Sequence, residues 1–135
     1  MKISDKINYI KKMLEIFDDP MDKYVQIIEF GKKNSGMMDT NKNDNNRILG
    51  CASLAWVQVI NNKNNTYNIL IDSDTLIVKG LLSILKHIID GENSKEINQL
   101  DIVCLLKEVG LEDSITSQRT NGFMNALNKI KEQIN

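Results

Sequence analysis

The sequence predicts an α+β fold in which helices flank a small antiparallel β-sheet, a hairpin with room for a third short strand, and three features carry that prediction. Over most of the chain apolar residues recur at spacings of three and four, the period of an amphipathic helix. Between residues 54 and 72 the period shortens to two, in two runs separated by the polar stretch 61–65. The 135 residues are 41% hydrophobic and 26% charged, a size and balance suited to one globular domain, 1–135. No internal repeat or second core is apparent.

Ser4 is the expected cap of a first helix, whose Ile7, Ile10, Met13, Leu14 and Phe17 gather on one face. Asp19-Pro20 opens a second, with a capping carboxylate before a proline suited to the first turn, and Tyr24, Ile27 and Ile28 continue the stripe. Residues 34–46 are almost wholly small or polar apart from Met37 and Met38, which reads as a mobile surface loop. In the first strand, Trp56, Gln58 and Ile60 face one side and Ala55, Val57 and Val59 the other. The second sets Tyr67, Ile69 and Ile71 against Asn68, Leu70 and Asp72.

Ser73 or Asp74 is the expected cap of the next helix, from Leu76 to Ile89, which is apolar nearly all round and therefore belongs at the centre of the core. Gly80 within it costs about 1 kcal/mol relative to Ala, tolerable if another backbone packs closely there. Gly91 marks its end. Ser94 and Asp101 are expected to cap two short helices, the second stopping at Gly110. A last helix starts at Thr116 or Thr120 and carries Phe123, Ala126, Leu127, Ile130 and Ile134 at helical spacing.

Seventeen basic and eighteen acidic residues leave a formal charge of -1 and a pI near 5.8, with no Lys/Arg block to neutralise phosphates. No nucleic-acid partner is expected. The opening Met1-Lys2-Ile3-Ser4-Asp5 shows no secretory signal, and nowhere do eighteen apolar residues run together, so no membrane partner is expected and the compartment is read as cytoplasmic. Two cysteines and one histidine are too few for a four-ligand site of Cys and His, and no resident metal is expected. In a reducing cytosol Cys51 and Cys104 are free thiols by default.

Cys51 lies between the polar loop and the first strand, at the entrance to the hairpin, after a Gly50 that leaves room for an approaching partner. An ordinary thiol is only a few per cent ionised near neutrality, so a working Cys51 needs activation from neighbours, with Arg47 and Arg119 the cations to consider, or from a partner. Residue type and position alone favour the plainer reading, a small buried hydrophobe. Cys104, within the apolar string Ile102 to Leu106, reads as core. His87 has no Cys or second His nearby, and reads as a surface histidine or one with a satisfied hydrogen bond. Asp72 and Asp74 could form an acid/base pair or a cation site, but helix capping explains them more simply. Trp56 is expected to fix the hairpin beneath Cys51.

Several segments in fixed order alter the reading of Cys51. They are Tyr24-Val25-Gln26-Ile27-Ile28-Glu29-Phe30-Gly31, Gly50-Cys51-Ala52-Ser53-Leu54-Ala55-Trp56, Asp72-Ser73-Asp74-Thr75-Leu76-Ile77-Val78-Lys79-Gly80-Leu81, Val109-Gly110-Leu111 and Ser117-Gln118-Arg119-Thr120-Asn121-Gly122-Phe123. Together they resemble the SufE family of sulfur acceptors, with similar spacing from about residue 20 to the C-terminus. Ala55 and Phe123 depart from the family pattern, at packing positions. The resemblance implies a non-enzymatic accessory protein, a monomer or weak homodimer, that stimulates a pyridoxal-phosphate-dependent cysteine desulfurase and takes its persulfide sulfur onto Cys51. It further implies delivery to an iron-sulfur scaffold complex, no cofactor of its own, since pyridoxal phosphate belongs to the partner, and supporting or partner-binding roles for Asp74 and Arg119. Two other readings stay open: a docking adaptor that does not use the thiol, and a redox sensor forming sulfenic acid at Cys51.

Overall fold

The computed structural model describes residues 2–50 and 53–134. Its elements run α1 (Ile3–Glu15), α2 (Pro20–Lys32), β1 (Ala55–Asn61), β2 (Tyr67–Ser73), α3 (Leu76–Ile89), α4 (Ser94–Asn98), α5 (Ile102–Glu108) and α6 (Ser117–Ile134), with one 3-10 turn at Asp39–Asn41. The α+β expectation holds. Among the described residues the sheet has two antiparallel strands, paired from Ala55 with Ser73 to Asn61 with Tyr67. A third strand does not form among them. In its place stand two isolated bridges, Arg47 with Trp56 and Tyr67 with Glu92, one on each outer edge.

The free edge of β2 is closed by side chains. The Asp90 carboxylate accepts from Ile69 N–H at 2.9 Å, Lys86 Nζ donates to the Ile69 carbonyl at 2.6 Å, and the two side chains pair at 2.7 Å. They satisfy backbone groups that would otherwise be a template for pairing with another chain.

Helix α3 is central, as its all-round apolar character predicts. It packs on β2 beneath and on α2, α1 and α6 around it, and its Leu81, Leu82, Ile84, Leu85, Ile88 and Ile89 are buried. The α2–α3 crossing explains Gly80: a Cβ there would overlap the Ile27 carbonyl oxygen and meet Ile27 Cγ2 at 2.7 Å, and a Cβ on Gly31 would lie 2.7 Å from Gly80 Cα. Two glycines let two helical backbones touch, which is the compensation its propensity penalty requires.

Most caps fall where expected or one residue away. Asp19 accepts from Met21 N–H and Asp101 from Val103 N–H, both at 2.9 Å, and Thr116 rather than Thr120 opens α6, accepting from Arg119 N–H at 3.3 Å. Lys2, not Ser4, is the N-cap of α1, its N–H donating to Asp5, and Asn93, not Ser94, caps α4 by accepting from Glu96 N–H. Thr75 is the N-cap of α3, and Ser73 Oγ accepts from its N–H at 3.2 Å. Asp74 does not cap that helix.

The segment 34–46 is tethered rather than free. Met37 is buried, and its N–H donates to Asp72 Oδ2 at 3.0 Å. Lys42 Nζ pairs with the same oxygen at 3.1 Å and sits 5.5 Å from the Trp56 ring centroid. Trp56 is half-buried on the outer face of the hairpin, so it fixes this segment against the sheet.

Candidate functional site

Cys51, the expected acceptor, lies outside the described residues with Ala52; the chain on either side of them is described. Ile48 N–H donates to the Ala55 carbonyl and Val57 N–H to the Asn46 carbonyl, each at 2.8 Å. These bonds close residues 49–54 into a short loop on the end of the hairpin. Its trailing stem is bonded three times at Leu54: Leu54 N–H donates to Asp74 Oδ1 at 3.0 Å, and the Leu54 carbonyl accepts from Asp74 N–H at 3.0 Å and from Ser73 Oγ at 2.8 Å. The leading stem is anchored by a side chain at Leu49, where Asn125 Nδ2 of α6 donates to the carbonyl at 2.8 Å. Gly50 has φ +86°, a left-handed conformation that favours glycine.

A cavity of about 280 Å³ opens beside the trailing stem. Ser53 and Thr75 form its loop side, Val78, Leu82 and Phe123 part of its apolar wall, and Arg119 contributes the charge. The Arg119 guanidinium lies 5.3 Å from the centroid of the Tyr24 ring, a cation–π contact that holds it at this end of α6. Arg119 and Asp74 are therefore both at the loop, one on the cavity wall and the other on the stem. Arg47, the nearest cation in sequence, is exposed and bridges to Trp56 through its backbone. Outside the cavity, Leu49, Leu54 and Leu76 leave 73%, 40% and 55% of their surface in solvent, an apolar fringe at the base of the loop.

Asp72 and Asp74 do different work, and neither caps a helix. Asp72 is buried, accepts from Met37 N–H and from Ser73 N–H at 2.8 Å, and faces Lys42 and, at 3.8 Å, Lys79. Burial alone would push its carboxyl upward, but the hydrogen bonds from Met37, Lys42 and Ser73 and the Lys42 charge outweigh it, and the pKa is held below the ordinary 3.8. A carboxylate so committed to two cations and two amides is a structural hub rather than an acid/base partner. Among the described residues no group of three or more His, Cys, Asp and Glu is placed to hold a metal ion.

Two expectations are corrected. Cys104 is exposed, its Sγ 3.7 Å from Asp101 Oδ2. Once Asp101 fixes the start of α5, helical geometry turns Ile102, Leu105, Leu106 and Val109 inward and leaves Val103 and Cys104 outside. His87 is neither fully exposed nor hydrogen-bonded at Nε2 among the described residues. Its half-buried ring lies 5.2 Å from the Tyr9 ring and edge-on to Phe30 at 5.9 Å, and its buried Nε2 has no hydrogen-bond partner among the described residues. Desolvation, then the Lys6 charge, lower its pKa from 6.5 against the opposing pull of Asp90. Asn125 is not legible in the sequence, because an exposed asparagine on a polar helix face carries no local signal of its partner 76 residues earlier.

A family model, SufE, described as "Fe-S metabolism associated domain", matches residues 8–134. An uncharacterized SufE-like protein of Rhizobium etli is 32% identical over 120 residues, covering 86% of this chain and 80% of that protein. The cysteine desulfuration protein SufE of Plasmodium falciparum is 32% identical over 130 residues, covering 90% of this chain and 52% of its own length. The solution structure of a hypothetical protein from Thermus thermophilus superposes with a TM-score of 0.77 at 15% identity, over 96% of this chain and 93% of that one, which shows the fold alone.

Proposed function

The chain belongs to the SufE family, and on that premise we propose that it is a sulfur acceptor: it binds a cysteine desulfurase, stimulates it, and carries the sulfur onward from Cys51 to an iron-sulfur scaffold. The observation that carries this reading is the loop 49–54, closed at its base by the Ile48–Ala55 hydrogen bond and flanked by a partly apolar cavity with Arg119 on its wall. In sequence that loop contains Cys51, one of the two cysteines of the chain. The similarity to a protein titled as acting in cysteine desulfuration supports the same chemistry.

The transfer is a thiol exchange. The Cys51 thiolate attacks the outer sulfur of a persulfide on the desulfurase cysteine, a new S–S bond forms at Cys51, the old one breaks, and the desulfurase leaves as thiolate. No electrons are gained or lost overall, so no oxidant is needed. Arg119, on the wall of the cavity that Ser53 also lines, supplies positive charge for an anionic persulfide, Asp74 fixes Leu54, and the fringe of Leu49, Leu54 and Leu76 offers apolar surface to the desulfurase. The protein is an accessory with no reaction of its own, pyridoxal phosphate belongs to the desulfurase, and the working compartment is the reducing cytosol.

Intact-protein mass spectrometry after incubation with desulfurase and cysteine tests this. Wild type and Cys104→Ser gain one sulfur atom, whereas Cys51→Ser gains none and stimulates the desulfurase less. Identical spectra and identical stimulation from wild type and Cys51→Ser would overturn the reading.

A further inference from the structure

Arg119 carries the charge on the cavity wall, and an aromatic ring rather than an acid holds it there. Among the described residues no carboxylate pairs with it. Its guanidinium lies instead 5.3 Å from the centroid of the Tyr24 ring. The difference matters for what the charge can do. A carboxylate would neutralise the guanidinium and take two of its N–H donors in a bidentate pair. An aromatic face attracts the cation through the ring quadrupole and leaves its charge uncancelled. Tyr24 is also the firmer of the two side chains: its ring packs against the hydrophobic core, and its helix α2 meets α3 backbone to backbone at Gly31 and Gly80. Arg119 is half-buried in the first turn of α6, on a long side chain that without a partner spreads over many rotamers.

We propose that Tyr24 is a positioning residue for Arg119, holding an unneutralised guanidinium on the cavity wall so that an anionic persulfide meets a charge already in place. The inference deepens the sulfur-acceptor reading, on which its significance for transfer rests. A charge fixed before the anion arrives needs no reorganisation when it does. At a partly exposed site the contact is worth about two- to fivefold in the population of the held rotamer, and its loss slows transfer by the same factor. The ring supplies the attraction and the hydroxyl does not, so phenylalanine preserves the contact and leucine, which is apolar without a π face, abolishes it.

The chain has two arginines, and the exposed Arg47 serves as the control for Arg119. In NMR spectra of the full chain, the ring displaces the Arg119 Nε–H signal from its position in the urea-unfolded protein. Tyr24→Leu returns the signal towards that position, Tyr24→Phe does not, and the Arg47 signal stays where it is in both. In single-turnover transfer from a persulfide-loaded desulfurase, read by intact-protein mass, Tyr24→Leu is about two- to fivefold slower and Tyr24→Phe matches the parent. In an Arg119→Gln background Tyr24→Leu slows transfer no further, a non-additivity that a merely structural role would not produce. The proposal is overturned if the Arg119 signal of the unsubstituted protein already sits at its unfolded position. It is equally overturned if Tyr24→Phe acts like Tyr24→Leu, or if Tyr24→Leu slows transfer as much without Arg119 as with it. The NMR measurement involves no desulfurase, so a Cys51 that acquires no sulfur refutes the functional reading and leaves the contact standing, whereas transfer with an unmoved Arg119 signal refutes the positioning alone.

Discussion

Replacing Asp72 by Asn tests the hub that holds the 34–46 segment against the hairpin. The substitution keeps the shape but turns one acceptor into a donor. Asp72 Oδ2 takes Met37 N–H and Lys42, while Oδ1 takes Ser73 N–H and faces Lys79. Whichever way the amide turns, one backbone N–H loses its acceptor, at about 1–3 kcal/mol for a buried donor. Loss of the ion pairs adds little, because both lysines are partly exposed to solvent. The expected loss of stability is therefore about 1–3 kcal/mol, read as a lower urea midpoint with an unchanged slope. The acid limb also changes. Because the folded pKa of Asp72 lies below 3.8, its stabilisation is present above pH 3.8 and is lost as pH falls through the folded value. Wild type should lose part of its advantage over Asp72→Asn in that window. A variant within about 0.5 kcal/mol of wild type at neutral pH, the spread of ordinary surface changes, would refute the hub.

Gly80→Ala gains about 1 kcal/mol of helix propensity but drives a methyl into the Ile27 backbone, and overpacking of about 1–3 kcal/mol should win, so urea unfolding reads a net loss rather than a gain. For His87 the folded pKa lies below 6.5, so the unfolded chain takes the proton first: stability holds above that pH and declines as pH falls from it through the folded value. His87→Phe should remove this dependence from the urea midpoint measured between about pH 7 and about pH 5, and an unchanged slope with pH would refute it. Cys104→Ser should alter stability by less than about 0.5 kcal/mol, and under native conditions Cys104 should alkylate as an ordinary exposed thiol; protection would contradict its placement.

The elements legible in the sequence are those whose determinants are local or periodic. Asp19-Pro20 and Asp101 announce helix starts through their own side chains, the two-residue alternation around Val57 and Ile69 announces the hairpin, and the all-round apolar face of α3 announces the centre of the core. Gly80 could be read as a close backbone approach, although its partner Gly31 could not be named. Where structure and expectation part, the deciding contact is distant in sequence. Cys104 sits in an apolar string, yet its exposure depends on which side of a two-turn helix meets α6, and a string of five apolar residues does not encode that side. Asp72 and Asp74 look alike beside Ser73 until the fold brings Met37 and Lys42 to one and Leu54 to the other. The motif around Cys51 identifies a family and a thiol, but the side-chain tie on Leu49 comes from α6, where no motif marks it.

These contacts form a gradient that ends at the proposed acceptor. Asp72, buried and paired to two cations, fixes the outer face of the hairpin against the 34–46 segment, and opening it would unmake a charged network. Asp74 and Ser73, next along the chain, hold Leu54 with three ordinary hydrogen bonds, and Asn125 holds Leu49 with one that water can replace. Local opening draws on the weakest contacts first, so the amide of Leu54, bonded to Asp74, should exchange more slowly than that of Leu49 while β1 and β2 keep their places. If Asp74→Ala left the amide exchange of Leu54 unchanged, the hydrogen bond from Leu54 N–H would not be what protects it, and Asp74 would not be a fixed end of the trailing stem.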